Sequence, residues 1–291
     1  MVLRCPVGRF EKSDICNLDE TPIPFKYLDG KTYDTIGEKT IWGKGSKSGW
    51  DKRQASLVLC IFADGVPRVP PMIIFRGKCE QLGRERVEYH PGVEVEFNNK
   101  AYMNDGLFLR YIEKQLVPVL GGRPTLFAID LMGSHKTPAV LHKLCLHNIT
   151  PSLIPGGCTS LIQPLDVAVN KPFKEIKQEL TNNAIFEAES IETFQKWTVS
   201  HRRILTTSCV GDTFYRFHLE EGDIIRRVFR KVGLSLPVDG SCDSEIDIKG
   251  FSGLQIGDWR INHGAIDEAA TISEVQDNND SIEFVHSDEL L

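Results

Sequence analysis

Three aspartates, Asp19, Asp130 and Asp166, each stand where an apolar stretch gives way to turn-forming residues. A carboxylate in that position is expected at the rim of a sheet. Three that converge there would offer oxygen ligands suited to magnesium or manganese. Two such ions, roughly 4 Å apart, activate an attacking water or hydroxyl and stabilise the leaving oxygen of an in-line displacement at phosphorus. The chemistry this trio would support is cleavage of phosphodiester bonds. Each aspartate also has a plain structural reading. Asp19, in Leu18-Asp19-Glu20-Thr21-Pro22, reads equally as turn punctuation, Asp130 as a turn cap, and Asp166 as the N-cap of a helix over 167–180. A capping aspartate keeps an oxygen for metal, so both roles can coexist.

Positioning these carboxylates requires particular elements. Alternating or unbroken apolar runs predict strands at 14–20, 39–42, 56–63 and 72–75, separated by Asp29-Gly30, the 43–49 stretch and Asp64-Gly65, in an antiparallel meander. The spacing of Leu107, Phe108, Tyr111, Ile112 and Leu116 predicts a helix over 104–116, stopped by Pro118. The run 125–130 is apolar on both faces, as strands covered by helices on both sides are. Thr137 is placed to cap a helix that starts at Pro138, and a strand at 149–154 follows. If the strands at 14–20 and 125–130 lie parallel and adjacent, Asp19 faces Asp130 at the strand ends where α/β sheets bind ligands. Asp166 then needs only its helix to pack back across the sheet. These elements predict an α/β fold, a mixed sheet flanked by helices. From 182 to 232 the chain reads as helical, with Phe194, Trp197, Phe214, Phe217, Ile225 and Phe229 as packing residues, and past about 261 the composition predicts disorder.

Composition narrows the alternatives. A chain of 291 residues buries a substantial core, and its N-terminus lacks the apolar run of a signal peptide. The longest apolar run, 55–63, is less than half of what a membrane span needs. The eight cysteines form no C-x-x-C and no zinc spacing with histidine, which predicts reduced thiols inside the cell and makes the sequons at Asn148 and Asn279 chance matches. Residues 1–180 hold 24 Lys/Arg and 20 Asp/Glu, whereas 241–291 holds 2 and 12, so the acidity belongs to the tail. The front half is compatible with phosphate contacts without the footprint of a dedicated DNA-binding domain. Gly43, Gly45 and Gly49 with Lys44 and Lys47 do not match a phosphate loop, and Arg226, Arg227, Arg230 and Lys231 read as a solvated helix face. His142 and His147 share no helical face suited to metal.

Longer motifs carry a resemblance. They are Ile15-Cys16-Asn17-Leu18-Asp19-Glu20-Thr21; Phe127-Ala128-Ile129-Asp130 with Ser134-His135-Lys136-Thr137; and Ile154-Pro155-Gly156-Gly157-Cys158-Thr159-Ser160-Leu161-Ile162-Gln163-Pro164-Leu165-Asp166 with Lys171-Pro172-Phe173-Lys174. Together they resemble the DDE superfamily endonuclease domain of pogo/Tigger-type transposases, and the third is the most specific. Thirty-five residues separate Asp130 from Asp166, similar to that family's interval. The resemblance covers about 13–180 and, more weakly, 228–249. It implies an RNase H-like fold with a mixed five-stranded sheet, and two magnesium (or manganese) ions held by Asp19, Asp130 and Asp166 for cutting and joining DNA. His135 and Gln163 match positions near the catalytic edge and take supporting roles; Lys171 and Lys174 are expected on the DNA backbone.

The expected organisation is a catalytic domain over 1–180, a helical extension packing on it over 181–240, and an acidic, largely disordered tail over 241–291. DNA is the expected partner, in the nucleus, with no membrane. The sequence starts just before the first catalytic strand, so the helix-turn-helix region usual in the family is expected to be missing; the other expected partners are a second copy of the chain, as a homodimer, or a separate DNA-binding partner. Leu131-Met132, after the second aspartate, departs from the small or polar residues often found there. Two rival readings follow: a catalytically silent, domesticated nucleic-acid or chromatin-binding module, and an unselected fragment.

Overall fold

Strand β2 (Ala55–Phe62) is buried at every residue, which accounts for its unbroken apolar sequence: with strands on both sides and helices over both faces, no side chain meets water. Among the described residues it is central in a six-stranded sheet with the order β4-β3-β2-β1-β5-β6. The other strands are β1 (Ile15–Ile23), β3 (Met72–Arg76), β4 (Glu94–Asn98), β5 (Thr125–Asp130) and β6 (Ile149–Ile154). β1, β2 and β3 form the antiparallel meander; β5 joins β1 in parallel, and β6 joins β5 in parallel. These five strands make the RNase H-like arrangement. The structure, a computed structural model, describes residues 10–23, 55–78, 83–187 and 197–251. The strand expected at 39–42, the glycine-lysine stretch at 43–49 and the disorder expected past 261 lie outside the described residues.

The sixth strand corrects the expected count of five. β4 is a short edge strand that pairs in parallel with β3 alone, and its sequence Glu94-Val95-Glu96-Phe97-Asn98 has only two apolar residues. Two helical expectations also change. Pro118 does not stop the first helix: α1 (Asp105–Tyr111) passes through a widened π segment (Ile112–Leu116) into α2 (Val117–Leu120). The Val117 N–H bonds to the Ile112 carbonyl, so the wide turn sits directly before the residue that has no N–H to give. Gly121, at φ 58°, ends the helix in the left-handed conformation. α3 (Pro138–Leu146) begins where expected, and the single turn α4 (Thr159–Ile162) follows β6, but the Thr137 side chain makes no cap bond, and its hydroxyl is buried without a partner among the described residues.

Side-chain alternation divides the core between the two faces of the sheet. On one face Ile15, Leu57, Leu59, Ile61, Ile73 and Phe75 pack beneath α5 (Asn170–Glu187) and α6 (Val199–Lys231), which contribute Phe173, Val210, Phe217, Ile225 and Phe229. On the other, Cys16, Leu18, Val58, Cys60, Phe62, Phe127 and Ile129 meet Leu107 and Phe108 of α1 and Val140 and Leu144 of α3. The N–H of His201 bonds to the Thr198 hydroxyl, which caps α6. At Gly211 a Cβ would lie 2.2 Å from His90 Nδ1, so only glycine admits the loop before β4 against α6. Among the described residues the cysteines are free thiols, and no helix is long and apolar enough to cross a membrane.

Candidate active site

The parallel register of β1 and β5 pairs Ile15 with Leu126 and Asn17 with Ala128. Carried two residues on, the same offset aligns Asp19 with Asp130, and alternation turns Asp19 toward the face that α5 covers. Asp19 is not turn punctuation. It lies inside β1, which continues to Ile23 paired only with β2 once β5 has ended. Burial along β1 gives way to partial exposure at Asp19 and Glu20, just past Asn17, the last residue paired with β5.

Asp166 is not an N-cap. The helix starts two residues earlier than expected, with Pro164 in the cap position, a π segment over Leu165–Val169, and α5 continuing from Asn170. Asp166 therefore sits in the first helical turn, where a negative charge favours the helix dipole. Capping comes instead from β1: the Leu165 N–H bonds to Oδ1 of the fully buried Asn17 at 3.0 Å. The Asn17 amide nitrogen donates to the Ala128 carbonyl at 2.9 Å. One asparagine thus ties together three segments, two residues before Asp19, two before Asp130 and one before Asp166.

The Asp19 and Asp166 carboxylates share one donor. Asn170 Nδ2 donates to Asp19 Oδ2 and to Asp166 Oδ1, both at 3.0 Å. Burial, with the like charge of Asp166 second, pushes the Asp19 pKa up to about 7 against the smaller opposing effect of the Asn170 bond. Asp130 has a different setting. The Met132 N–H and His135 Nδ1 both meet its Oδ1, at 3.0 and 2.7 Å, and His135 Nε2 lies 3.1 Å from Glu20 Oε1. The His135 side chain is 0% exposed and packs on Phe108 with ring centroids 4.5 Å apart. Burial alone would lower its pKa, but the bonds to Asp130 and Glu20 and their charges outweigh that and hold it at about 9. Burial likewise tends to raise the Asp130 pKa, yet the His135 and Met132 bonds leave it below the usual carboxylate value.

The remaining expected residues fall as follows. Gln163 is fully buried on the loop before Asp166, with neither amide atom hydrogen-bonded among the described residues. Lys171 is 86% exposed with Glu175 at 4.0 Å, and Lys174 is exposed one turn on. Asn17, Glu20 and Asn170 were missed as site residues. The i, i+4 spacing of Asp166 and Asn170 carried a signal, whereas the partners of Asn17 and Glu20 lie more than a hundred residues away. A surface cleft of about 410 Å³ is lined by Glu88, Trp197, His201, Ile204, Leu205 and Ser208, and by none of the three aspartates.

Among the described residues, no three carboxylate, imidazole or thiolate groups close on one point as a metal centre. Asp19 and Asp166 draw together on Asn170, while Asp130 is held by His135. The donor chemistry nonetheless fits divalent cations. The donors are carboxylate oxygens, and the repulsion from Asp166, which adds to burial in raising the Asp19 pKa, is what a cation between the pair would relieve.

Residues 52–206 match the family model described as DDE superfamily endonuclease, a span that contains Asp130 and Asp166 and follows Asp19. The human protein described as "Pogo transposable element with KRAB domain" is 25% identical over 258 residues, covering 81% of this chain and 41% of its own length. The human "Pogo transposable element with ZNF domain" is 23% identical over 184 residues, covering 62% of this chain and 11% of its own length. The chain therefore spans at most about two fifths of these curated relatives. Among solved structures, the Mos1 strand transfer complex aligns with a TM-score of 0.38 at 16% identity, over 69% of this chain and 55% of that one. With the family match spanning more than half of its residues, the chain belongs to the DDE superfamily endonucleases.

Proposed function

We propose that this chain is a metal-dependent DNA endonuclease and strand transferase of the transposase kind, with Asp19, Asp130 and Asp166 as ligands for two magnesium or manganese ions. The observation that carries the reading is the meeting of Asp19 and Asp166, from segments far apart in sequence, on the amide of Asn170, next to the strand that ends in Asp130. When bound, the ions would activate the attacking water or 3′-hydroxyl and stabilise the leaving oxygen at phosphorus. The protein's own part is placement. Asn17 fixes the three segments, and His135, locked between Asp130 and Glu20, keeps the Asp130 carboxylate ionised and oriented. Lys171 and Lys174 project from the first turns of α5 as contacts for the phosphate backbone. DNA as substrate would put the chain in the nucleus, working as a homodimer or with a separate DNA-binding partner.

The test is nicking of supercoiled plasmid with manganese or magnesium, using the chain and its Asp130→Asn and Asp166→Asn variants. Nicking that needs the metal and is lost in both variants is expected. Nicking that persists in either variant, or with chelator, contradicts the proposal. DNA binding without any nicking or metal uptake points to the silent binding module.

A further inference from the structure

We infer that Asn170 is a positioning residue that holds the Asp19 and Asp166 carboxylates as a pair ready for a divalent cation. This rests on the function proposed above and assigns a role to a residue outside the aspartate trio.

Asp19 belongs to a strand and Asp166 to the first turn of a helix, so no covalent constraint sets their separation. Two carboxylates brought near each other repel, and without a common donor their side chains would turn apart. Asn170 supplies that donor through one nitrogen at 3.0 Å from each. It takes only one oxygen of each carboxylate, Oδ2 of Asp19 and Oδ1 of Asp166, so each carboxylate keeps lone pairs for a metal.

The residue type suits the task. Lysine or arginine would make the same bonds but bring a positive charge, neutralising the pair and competing with a cation. Asparagine donates with no net charge, so the negative field survives. Its place is also fixed. Asn170 is 9% exposed, and its own N–H bonds five residues back to the Leu165 carbonyl, closing the π segment over Leu165–Val169. Such single wide turns recur at functional sites. Here the wide turn sets the angle at which Asn170 and Asp166, four residues apart, meet the Asp19 side chain.

The experiment is a manganese titration, followed by the electron paramagnetic resonance signal of the free ion, on the whole chain and on Asn170→Ala and Asn170→Ser. Alanine is the strongest helix former and serine keeps a small donor, so at least one variant retains α5. Removing a group that orients a metal ligand typically costs about 10–100-fold in affinity, and that rise in the manganese dissociation constant is expected for Asn170→Ala. In an Asp166→Asn background, where the charged pair no longer exists, the same substitution should cost less than about threefold, because the two residues act together. A purely structural asparagine would cost the same in both backgrounds. Manganese affinity unchanged or tightened by Asn170→Ala, or equal losses in the two backgrounds, overturns the inference. Failure of the unaltered chain to bind manganese, or binding indifferent to Asp19→Asn, overturns the functional reading itself.

Discussion

The carboxylates at the open end of the sheet are stabilised in two opposite ways. Asp19 and Asp166 meet over a neutral amide, so burial, with their repulsion left standing beside it, lifts the Asp19 pKa to about 7. Asp130 meets a buried histidine that Glu20 also holds, and its pKa falls below the usual value. One half of the site is short of positive charge and the other already has it. A cation therefore has most to gain at the first half, while the second is built for order. The same backbone register serves both, so the difference comes from side chains alone.

The largest expected effect comes from the aspartates themselves. Asp130→Asn, Asp19→Asn or Asp166→Asn should each lower metal-dependent nicking by more than about 100-fold, beyond what loss of an outer partner brings. A plasmid assay under identical metal conditions reads this directly, and a variant that retains a tenth of the activity would remove its residue from the ligand set.

Next is the loss of His135. His135→Ala leaves Glu20 and Asp130 facing each other without their shared partner, and breaking one side of a buried ion pair costs about 3–5 kcal/mol. Urea unfolding should show a fall of this order. A loss under about 1 kcal/mol would mean that the three groups carry little net charge coupling.

A third expectation separates the two halves by pH in metal-free protein. Asp19 has a folded pKa raised from 3.8 to about 7, so the fold holds the extra proton between those values, and stability falls as the pH rises through that window. The His135 pKa is raised from 6.5 to about 9, so its stabilisation is fully present below 6.5 and is lost as the pH rises through 9. Melting temperatures should decline in two steps, with Asp19→Asn removing the lower and His135→Gln the upper. Manganese should flatten the lower step, because a bound cation stabilises the ionised pair. If both variants erase the same step, the division into two halves fails.

The smallest effect concerns DNA. Reversing Lys171 and Lys174 to glutamate should weaken binding uniformly across sequences and lower the salt slope by about one for each phosphate that is no longer neutralised. A slope unchanged by both reversals would return these lysines to ordinary surface.

Much of this arrangement was legible in the sequence. The bounds of β5 and β6 and the start of α3 at Pro138 followed from apolar runs and turn chemistry. The parallel neighbourhood of β1 and β5, conditional in the sequence, is realised in the register. What local pattern misjudged was set by partners distant in the chain. Asp166 has the composition of a cap, yet Asn17 does the capping because β1 brings a buried amide to the Leu165 N–H. Asp19 has the surroundings of a turn, yet β2 extends the strand past it through pairing that continues to Ile23. Pro118 reads as a stop, but a wide turn absorbs its missing N–H. β4 escaped notice because an edge strand needs only one apolar side. Glu20 sat in view beside Asp19, and only the fold carries it to His135.

Whether the three aspartates together hold divalent cations is read by isothermal titration with manganese. Two binding events are expected on the unaltered chain at about pH 8, above the raised Asp19 pKa, and both should be weaker in each single Asp→Asn variant at positions 19, 130 and 166. Titrations in which any one of these variants takes up manganese as the unaltered chain does would contradict it.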